Sequence, residues 1–250
     1  MSRFQKSLYI LFSFIFAACS PASTQTPTPD FVSLLQSSCS APCWNDITPG
    51  VTTKSQLIDT IPSLPFYKSS AIGWMSENWQ QVSQNAPDTP NTTAVIMIGK
   101  NWAGIGIDIK DSVVSAITFD SILSKSGQYN DLNLTLDNAL KLYGTPSYIL
   151  KGGSCASFKC ENLYVIYPKQ GIILVAESQD FVENSGVFPT SIRVFPELPV
   201  RKVVFFTPSY LQDFPSNLEV GNIRCEFDTE PPHWQGYTTV DFSKIGSSCD

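Results

Sequence analysis

The sequence predicts an α+β protein made of two similar halves, each a short helix followed by antiparallel strands. Two observations carry this prediction. A Thr-capped helix pattern occurs twice along the chain, and a series of short apolar runs follows each copy. Polar turns separate the runs of the first series, as in an antiparallel meander. The 250 residues suffice for one large domain or two small ones.

The first helix pattern begins at Thr53. Thr53 and Gln56 have the spacing of a capping box, in which the side chain of each residue bonds the backbone N–H of the other. Pro62 ends the segment, because its ring cannot continue a helix. We expect the buried face to consist of three apolar residues, Leu57, Ile58 and Ile61.

Three apolar runs of the first half predict strands at 94–99, 102–109 and 113–119. In the second run, Gly104, Gly106 and Asp108 alternate with Ile105, Ile107 and Ile109. That period of two is typical of a half-buried strand.

The second helix pattern begins at the cap Thr135 and ends at Gly144, with Pro146 preventing continuation. Its apolar face would hold Leu136, Ala139, Leu140 and Tyr143. Strands are predicted at 163–167, 172–176, 192–195 and 203–206. The halves can be aligned with Thr52 on Thr135, and their boundary falls near 124–130. We therefore expect halves at 31–127 and 128–250.

The N-terminus has the features of a cleaved export signal over residues 1–18. Arg3 and Lys6 precede an uncharged apolar run, 8–16, that is shorter than a membrane-spanning helix requires. The segment Phe16-Ala17-Ala18-Cys19 resembles the bacterial lipobox. That resemblance implies that Cys19 becomes the mature N-terminus and carries diacylglycerol and palmitate. An ordinary secretory signal with a coincidental Cys is the alternative.

Residues 19–30 are rich in Pro and Thr and predict an extended tether between the lipid and the folded part. Together, the export signal, the lipid on Cys19 and this tether predict that the protein lies in the cell envelope, outside the cytoplasm and anchored to a membrane.

In the second half, a Thr-capped helix ends in Gly144-Thr145-Pro146 and leads into strands. This unit resembles the small α+β module of BamE/SmpA-type outer-membrane lipoproteins. The resemblance implies a non-catalytic module of envelope assembly. Related folds occur in secreted inhibitor proteins. The resemblance assigns no functional residue to this chain.

Six cysteines besides Cys19 predict three structural disulfides, because their number is even and the expected compartment is oxidising. Six cysteines permit 15 pairings. We favour the neighbouring pairs Cys39–Cys43, Cys155–Cys160 and Cys225–Cys249. Metal or redox use of the first pair is the alternative, although a copper site would usually recruit His and the chain has one, His233.

Composition excludes several functions. A net charge of −6 gives no electrostatic reason to bind nucleic acid, so we expect no such partner. One His rules out zinc sites that need two, and neither the Gly-x-Ser-x-Gly elbow nor a P-loop is present. We expect no metal and no cofactor. His233, flanked by Pro and Trp, is expected to cap a surface turn.

The aromatic residues are the remaining functional signal: the chain has 5 Trp, 9 Tyr and 16 Phe. Exposed aromatic rings can stack on sugars or contact a partner protein. Core packing is the alternative. Trp74 and Trp79 are the candidates for exposure, because polar residues surround them.

We therefore expect a non-catalytic binding or assembly module that contacts the membrane through its lipid and binds an envelope protein or the cell wall. One alternative is an extracytoplasmic hydrolase that uses paired carboxylates, such as Asp228 and Glu230. The other is a glycan or small-ligand binder that uses exposed Trp residues.

Overall fold

The computed structural model of the chain describes residues 31–35, 39–67, 70–75, 82–98, 103–121, 133–154, 161–178, 191–208, 217–220, 223–227, 231–243 and 247–249. The predicted signal 1–18, the tether 19–30 and the predicted boundary between halves near 124–130 lie outside these residues.

Strands dominate the described residues. In chain order they are β1 (Ser70–Met75), β2 (Val82–Ser83), β3 (Thr92–Ile98), β4 (Ala103–Lys110), β5 (Val113–Ser121), β6 (Tyr148–Ser154), β7 (Glu161–Tyr167), β8 (Ile172–Ser178), β9 (Ser191–Arg193), β10 (Val200–Phe206), β11 (Asn217–Val220), β12 (Ile223–Phe227), β13 (Thr239–Asp241) and β14 (Ser247–Cys249).

Nine of these strands form one antiparallel sheet in the order β2-β1-β3-β4-β5-β10-β8-β7-β6. Two smaller sheets pair β9 with β13 and place β12 between β11 and β14. The helices are α1 (Phe31–Leu35), α2 (Lys54–Thr60) and α3 (Leu136–Tyr143), with 3₁₀ turns at Ile61–Ser63 and Pro168–Gln170. The α+β prediction is confirmed at this level, with strands outweighing helices.

The start of α2 confirms the predicted capping box. The Thr53 N–H donates to Gln56 Oε1 at 2.9 Å, and the Gln56 N–H donates to Thr53 Oγ1 at 3.3 Å. Leu57 and Ile61 are buried, but Ile58 is 40% exposed. Its predicted burial is wrong, because each residue advances about 100° around the helix and Ile58 therefore leaves the face of Leu57.

Helix α3 confirms the predicted second face. Its cap is Thr135, whose hydroxyl oxygen accepts the Asn138 N–H at 3.3 Å. Leu136 and Ala139 are buried, and Leu140 and Tyr143 are half-buried against the core. Gly144 follows with a φ of 81°, a conformation that favours glycine.

The meander of β3, β4 and β5 is also confirmed. Asp111 and Ser112 connect β4 to β5 with φ values of 52° and 63°. Two successive positive φ values are typical of a type I′ turn, which matches the twist of an antiparallel hairpin.

The main core lies between the helices and one face of the nine-stranded sheet, with Trp44 fully buried within it. A second buried cluster covers the opposite face and contains Ala116, Leu150, Tyr164, Ile166, Ile173, Val175, Val204 and Phe206. Strands β7, β8 and β10 are therefore buried on both faces, which explains their continuous apolar sequences. In β3, by contrast, alternate residues are only half-buried.

Candidate functional site

A cleft of about 440 Å³ lies between the N-terminal segment and the C-terminal half of the large sheet. Its upper wall comes from the end of α1 and the loop after it. Its floor comes from the end of α3, the second 3₁₀ turn, β8 and β10. The lining residues are Leu35, Cys39, Ser40, Ala41, Cys43, Leu142, Tyr143, Gln170, Ile172 and Phe205.

The upper wall is fixed by a disulfide and by Trp44. Cys39 and Cys43 are joined by a disulfide, so the loop between them is closed. The Trp44 indole N–H donates to the Leu34 carbonyl oxygen at 2.7 Å, which ties α1 to the core. The Trp44 ring stacks on Phe66 and meets the ring of Phe119 edge-on at 5.2 Å. A short helix that would be marginal alone is therefore held by tertiary contacts.

The floor is positioned by Gln170 and Gly171. The Gln170 side-chain amide donates to the Tyr143 carbonyl oxygen at 3.0 Å, joining the 3₁₀ turn to the end of α3. Gly171 has a φ of 62°, and a Cβ there would lie 2.1 Å from the Phe206 carbonyl oxygen. Only glycine permits this approach, which brings the start of β8 against β10.

Tyr143 presents an unusual group beside the cleft. Its hydroxyl is buried and has no hydrogen-bond partner among the described residues. Its ring meets Tyr167 at 6.2 Å and Phe205 at 6.1 Å, both edge-on. Burial raises the pKa of Tyr143 far above its usual value, so the hydroxyl stays protonated. A buried hydroxyl without a partner costs about 1–3 kcal/mol.

The described lining residues include no acidic, basic or His side chain, and both cysteines are in the disulfide. These ten residues therefore bring no carboxylate, imidazole or thiolate to the cleft. Its volume lies in the range of about 300–1,000 Å³ that ligand pockets occupy, and its surface combines apolar and polar groups.

Asp108 and Asp120 are the described carboxylates that share the opposite face of the sheet near β5. Thr93 Oγ1 donates to Asp108 Oδ1 at 2.8 Å, and Lys202 pairs with Asp120 at 3.1 Å. Burial raises the pKa of Asp108, against the hydrogen bond from Thr93 and the charge of Lys202.

Asp120 lies opposite Gly104, four residues from Asp108, so the two backbone positions are about 14 Å apart along the strands. The other predicted pair, Asp228 and Glu230, lies outside the described residues.

Of the two candidate Trp residues, Trp74 lies among the residues that the structure describes. Trp74 is 5% exposed and packs in the core opposite Ala94, so its expected exposure is wrong. The polar residues around it in the chain follow β1, whereas within β1 its side chain takes the core-facing position. Trp79 lies outside the described residues.

His233 and Trp234 lie at the edge of the sheet beside β6. The exposed ring of His233 stacks on Tyr148 at 5.0 Å, and its backbone forms a β-bridge with the same residue. Trp234 is half-buried and meets Tyr237 edge-on at 6.0 Å. The Tyr237 hydroxyl donates to Asp137 Oδ1 at 3.2 Å.

One of the three predicted disulfides, Cys39–Cys43, is confirmed. Cys155 and Cys160 lie outside the described residues. The register of β12 and β14 places Cys225 opposite Cys249. Opposite residues of an antiparallel pair have Cα atoms about 4.5–5.5 Å apart, which suits a disulfide. The bond itself stays a prediction.

The described residues contain no group of His, Cys, Asp and Glu that could hold a metal ion. Within the same part of the chain, no helix has the length and apolar character needed to cross a membrane. No protein-family model, curated protein or solved structure matches the chain.

Proposed function

We propose that this protein is a non-catalytic binding module, anchored through lipid on Cys19 to the outer face of a membrane, and that the cleft is its ligand site. The lipobox-like segment and the tether 19–30 support the anchor. The eleven residues between Cys19 and Phe31 could extend by up to about 40 Å, enough to hold the cleft clear of the lipid headgroups.

The observation that carries the binding role is the cleft itself. It is concave, bordered by a disulfide on one side and by Leu142 and the half-buried Tyr143 on the other. Its described lining residues carry no carboxylate, imidazole or free thiol, which supports holding a molecule rather than converting it. The sequence also predicts an envelope partner, which is a protein or the cell wall. That partner would bind through the ligand held in the cleft or at another surface of the protein.

We also propose that the chain consists of two similar halves, 31–127 and 128–250. In each, a Thr-capped helix is followed by strands that pair in chain order: β1, β3, β4 and β5, then β6, β7, β8 and β10. The last strands of the two sets, β5 and β10, pair with each other.

The helix caps support the same relation. Thr53 forms a β-bridge with Val113 at the start of β5, and Thr135 forms one with Pro199 just before β10. Matching hydrogen bonds flank the bridges, from Val114 N–H to Thr52 O and from Val200 N–H to Leu134 O, both at 2.8 Å. These bonds favour Thr53, rather than Thr52, as the partner of Thr135 in the alignment.

The intact mass of protein extracted from membranes tests the anchor. It should correspond to a chain that begins at Cys19 and carries a diacylglyceryl group. The Cys19→Ser variant should no longer be found in the membrane fraction. An unprocessed Met1 would contradict the anchor.

Native mass spectrometry of the same extract should show a bound small molecule that denaturation releases. The Ser40→Trp variant should lose it, because Ser40 lines the cleft. The matched Ser55→Trp should retain it, because Ser55 lies on α2 away from the cleft. Equal occupancy in both variants would contradict the cleft as the site.

A further inference from the structure

We infer that the ligand of the cleft is an uncharged amphipathic small molecule, with an apolar ring system or short acyl chain as its body and one hydrogen-bonding end. This inference rests on the proposed binding role and adds the chemical class of the ligand. The carrying observation is that the ten described residues of the lining include no charged side chain.

Because the described residues of the wall carry no charge, we expect the ligand to be uncharged as well. An ionised group moved from water into a cleft without a counter-charge loses its hydration and gains no ion pair. Two described lysines adjoin the lining in the chain. Lys141, which precedes Leu142, pairs with Asp137 at 2.6 Å, and Lys169, which precedes Gln170, is exposed.

The apolar part of the wall sets the body of the ligand. Leu142, which is 38% exposed, contributes aliphatic surface, and the half-buried Tyr143 contributes an aromatic ring, whereas Ile172 and Phe205 support this wall from within the core. The Tyr143 ring meets Phe205 edge-on at 6.1 Å, so its orientation is fixed before a ligand enters. A preorganised apolar wall favours a rigid or compact apolar body.

Two uncharged polar groups set the hydrogen-bonding end. The amide of Gln170 uses its nitrogen to hold the Tyr143 carbonyl, which leaves its side-chain oxygen as an acceptor. The exposed Ser40 supplies a hydroxyl that can donate or accept. Both residues are exposed, so a ligand can keep its polar end toward solvent while its body is buried.

A pair of related dyes tests the inference. N-phenyl-1-naphthylamine is neutral, and 1-anilinonaphthalene-8-sulfonate carries the same aromatic frame with one negative charge. Fluorescence titration of the full mature protein should give a Kd for the neutral dye at least about tenfold lower than for the sulfonate, because the charged group finds no partner.

Variants locate the binding and its charge preference. Ser40→Trp should raise the Kd of the neutral dye at least about tenfold, and Ser55→Trp should leave that Kd unchanged. Leu142→Lys should increase the affinity for the sulfonate several-fold, because it places a cation on the wall. Ile58→Lys, at a similarly exposed helix position outside the cleft, should leave it unchanged.

The outcomes separate the ligand class from the binding role. If the sulfonate binds the native protein as tightly as the neutral dye, and Ser40→Trp weakens both, the uncharged class is wrong while the cleft still binds. If Ser40→Trp changes the Kd of neither dye, the cleft is not the binding site, and the proposed function is wrong as well. Far-ultraviolet circular dichroism confirms that each variant is folded.

Discussion

The indole nitrogen of Trp44 lies 2.7 Å from the carbonyl oxygen of Leu34, and this hydrogen bond connects the core to the upper wall of the cleft. Trp44 is completely buried, and Leu35, the neighbour of its acceptor, lines the cleft. The same residue therefore supports both the packing of the sheet against α1 and the shape of the candidate site.

Replacing Trp44 should destabilise the protein strongly. We expect Trp44→Phe to lower the free energy of unfolding by about 2–3 kcal/mol, because it opens a cavity and leaves the Leu34 carbonyl without its donor. Urea denaturation followed by circular dichroism measures this change. Trp234→Phe is the matched control; Trp234 is only half-buried, so its loss should cost less than about 1 kcal/mol. Equal losses in the two variants would contradict the role assigned to Trp44.

The unpaired hydroxyl of Tyr143 should cost stability. We expect Tyr143→Phe to raise the free energy of unfolding by about 1 kcal/mol, since it removes a buried polar group that has no described partner. The melting temperature would rise by about 2–4 °C for a chain of this size. Tyr67→Phe, at a position 39% exposed, should change neither quantity. A melting temperature lowered by Tyr143→Phe would show that the hydroxyl makes a stabilising bond.

Tyrosine burial should also give the protein an alkaline limit. Burial raises the pKa of both Tyr143 and Tyr167 in the folded state above the value of about 10 in the unfolded chain. The unfolded state therefore loses protons first as pH rises. The stability from neutral, buried tyrosines is fully present below about pH 10 and is lost above it. Thermal unfolding between pH 8 and 11.5 should show this fall, and Tyr143→Phe should make it less steep. An unchanged slope in the variant would contradict the assignment.

Gly171 should be far less replaceable than another glycine of similar backbone conformation. Gly171→Ala combines a positive φ with a clash against the Phe206 carbonyl, so we expect a loss of at least about 3 kcal/mol. Gly236 also has a positive φ, but nothing lies within 4 Å of its Cβ position. Gly236→Ala should therefore cost only the strain of about 1–2 kcal/mol. Similar losses for both variants would mean that the approach of β8 to β10 does not require glycine.

Local signals in the sequence predicted much of the fold. The capping residues Thr53 and Thr135 and the alternation in β4 are short-range features, and each has a direct physical cause that the sequence displays. Strands β1 and β6 were not predicted. Each contains Gly and Ser and lies toward an edge of the sheet, where pairing with a neighbour rather than residue pattern decides the structure.

The candidate site was less accessible to sequence reasoning. The prediction for Trp74 used polar residues that follow it in the chain, whereas its burial depends on the side of β1 that it occupies. The cleft joins positions near 40, 142, 170 and 205, and no local motif connects them. Cys39 and Cys43 are four residues apart in the sequence, and this short spacing predicted the disulfide that forms part of the wall.

The most direct test of the binding site is an NMR titration of the mature, ¹⁵N-labelled protein with N-phenyl-1-naphthylamine. If the cleft is the ligand site, the amide signals that shift should belong to residues 39–43, 142–143, 170–172 and 205, on the two walls of the cleft. Exposed α2 residues such as Ile58 should stay unchanged. Shifts that cluster elsewhere, or none at saturating dye, would contradict the account.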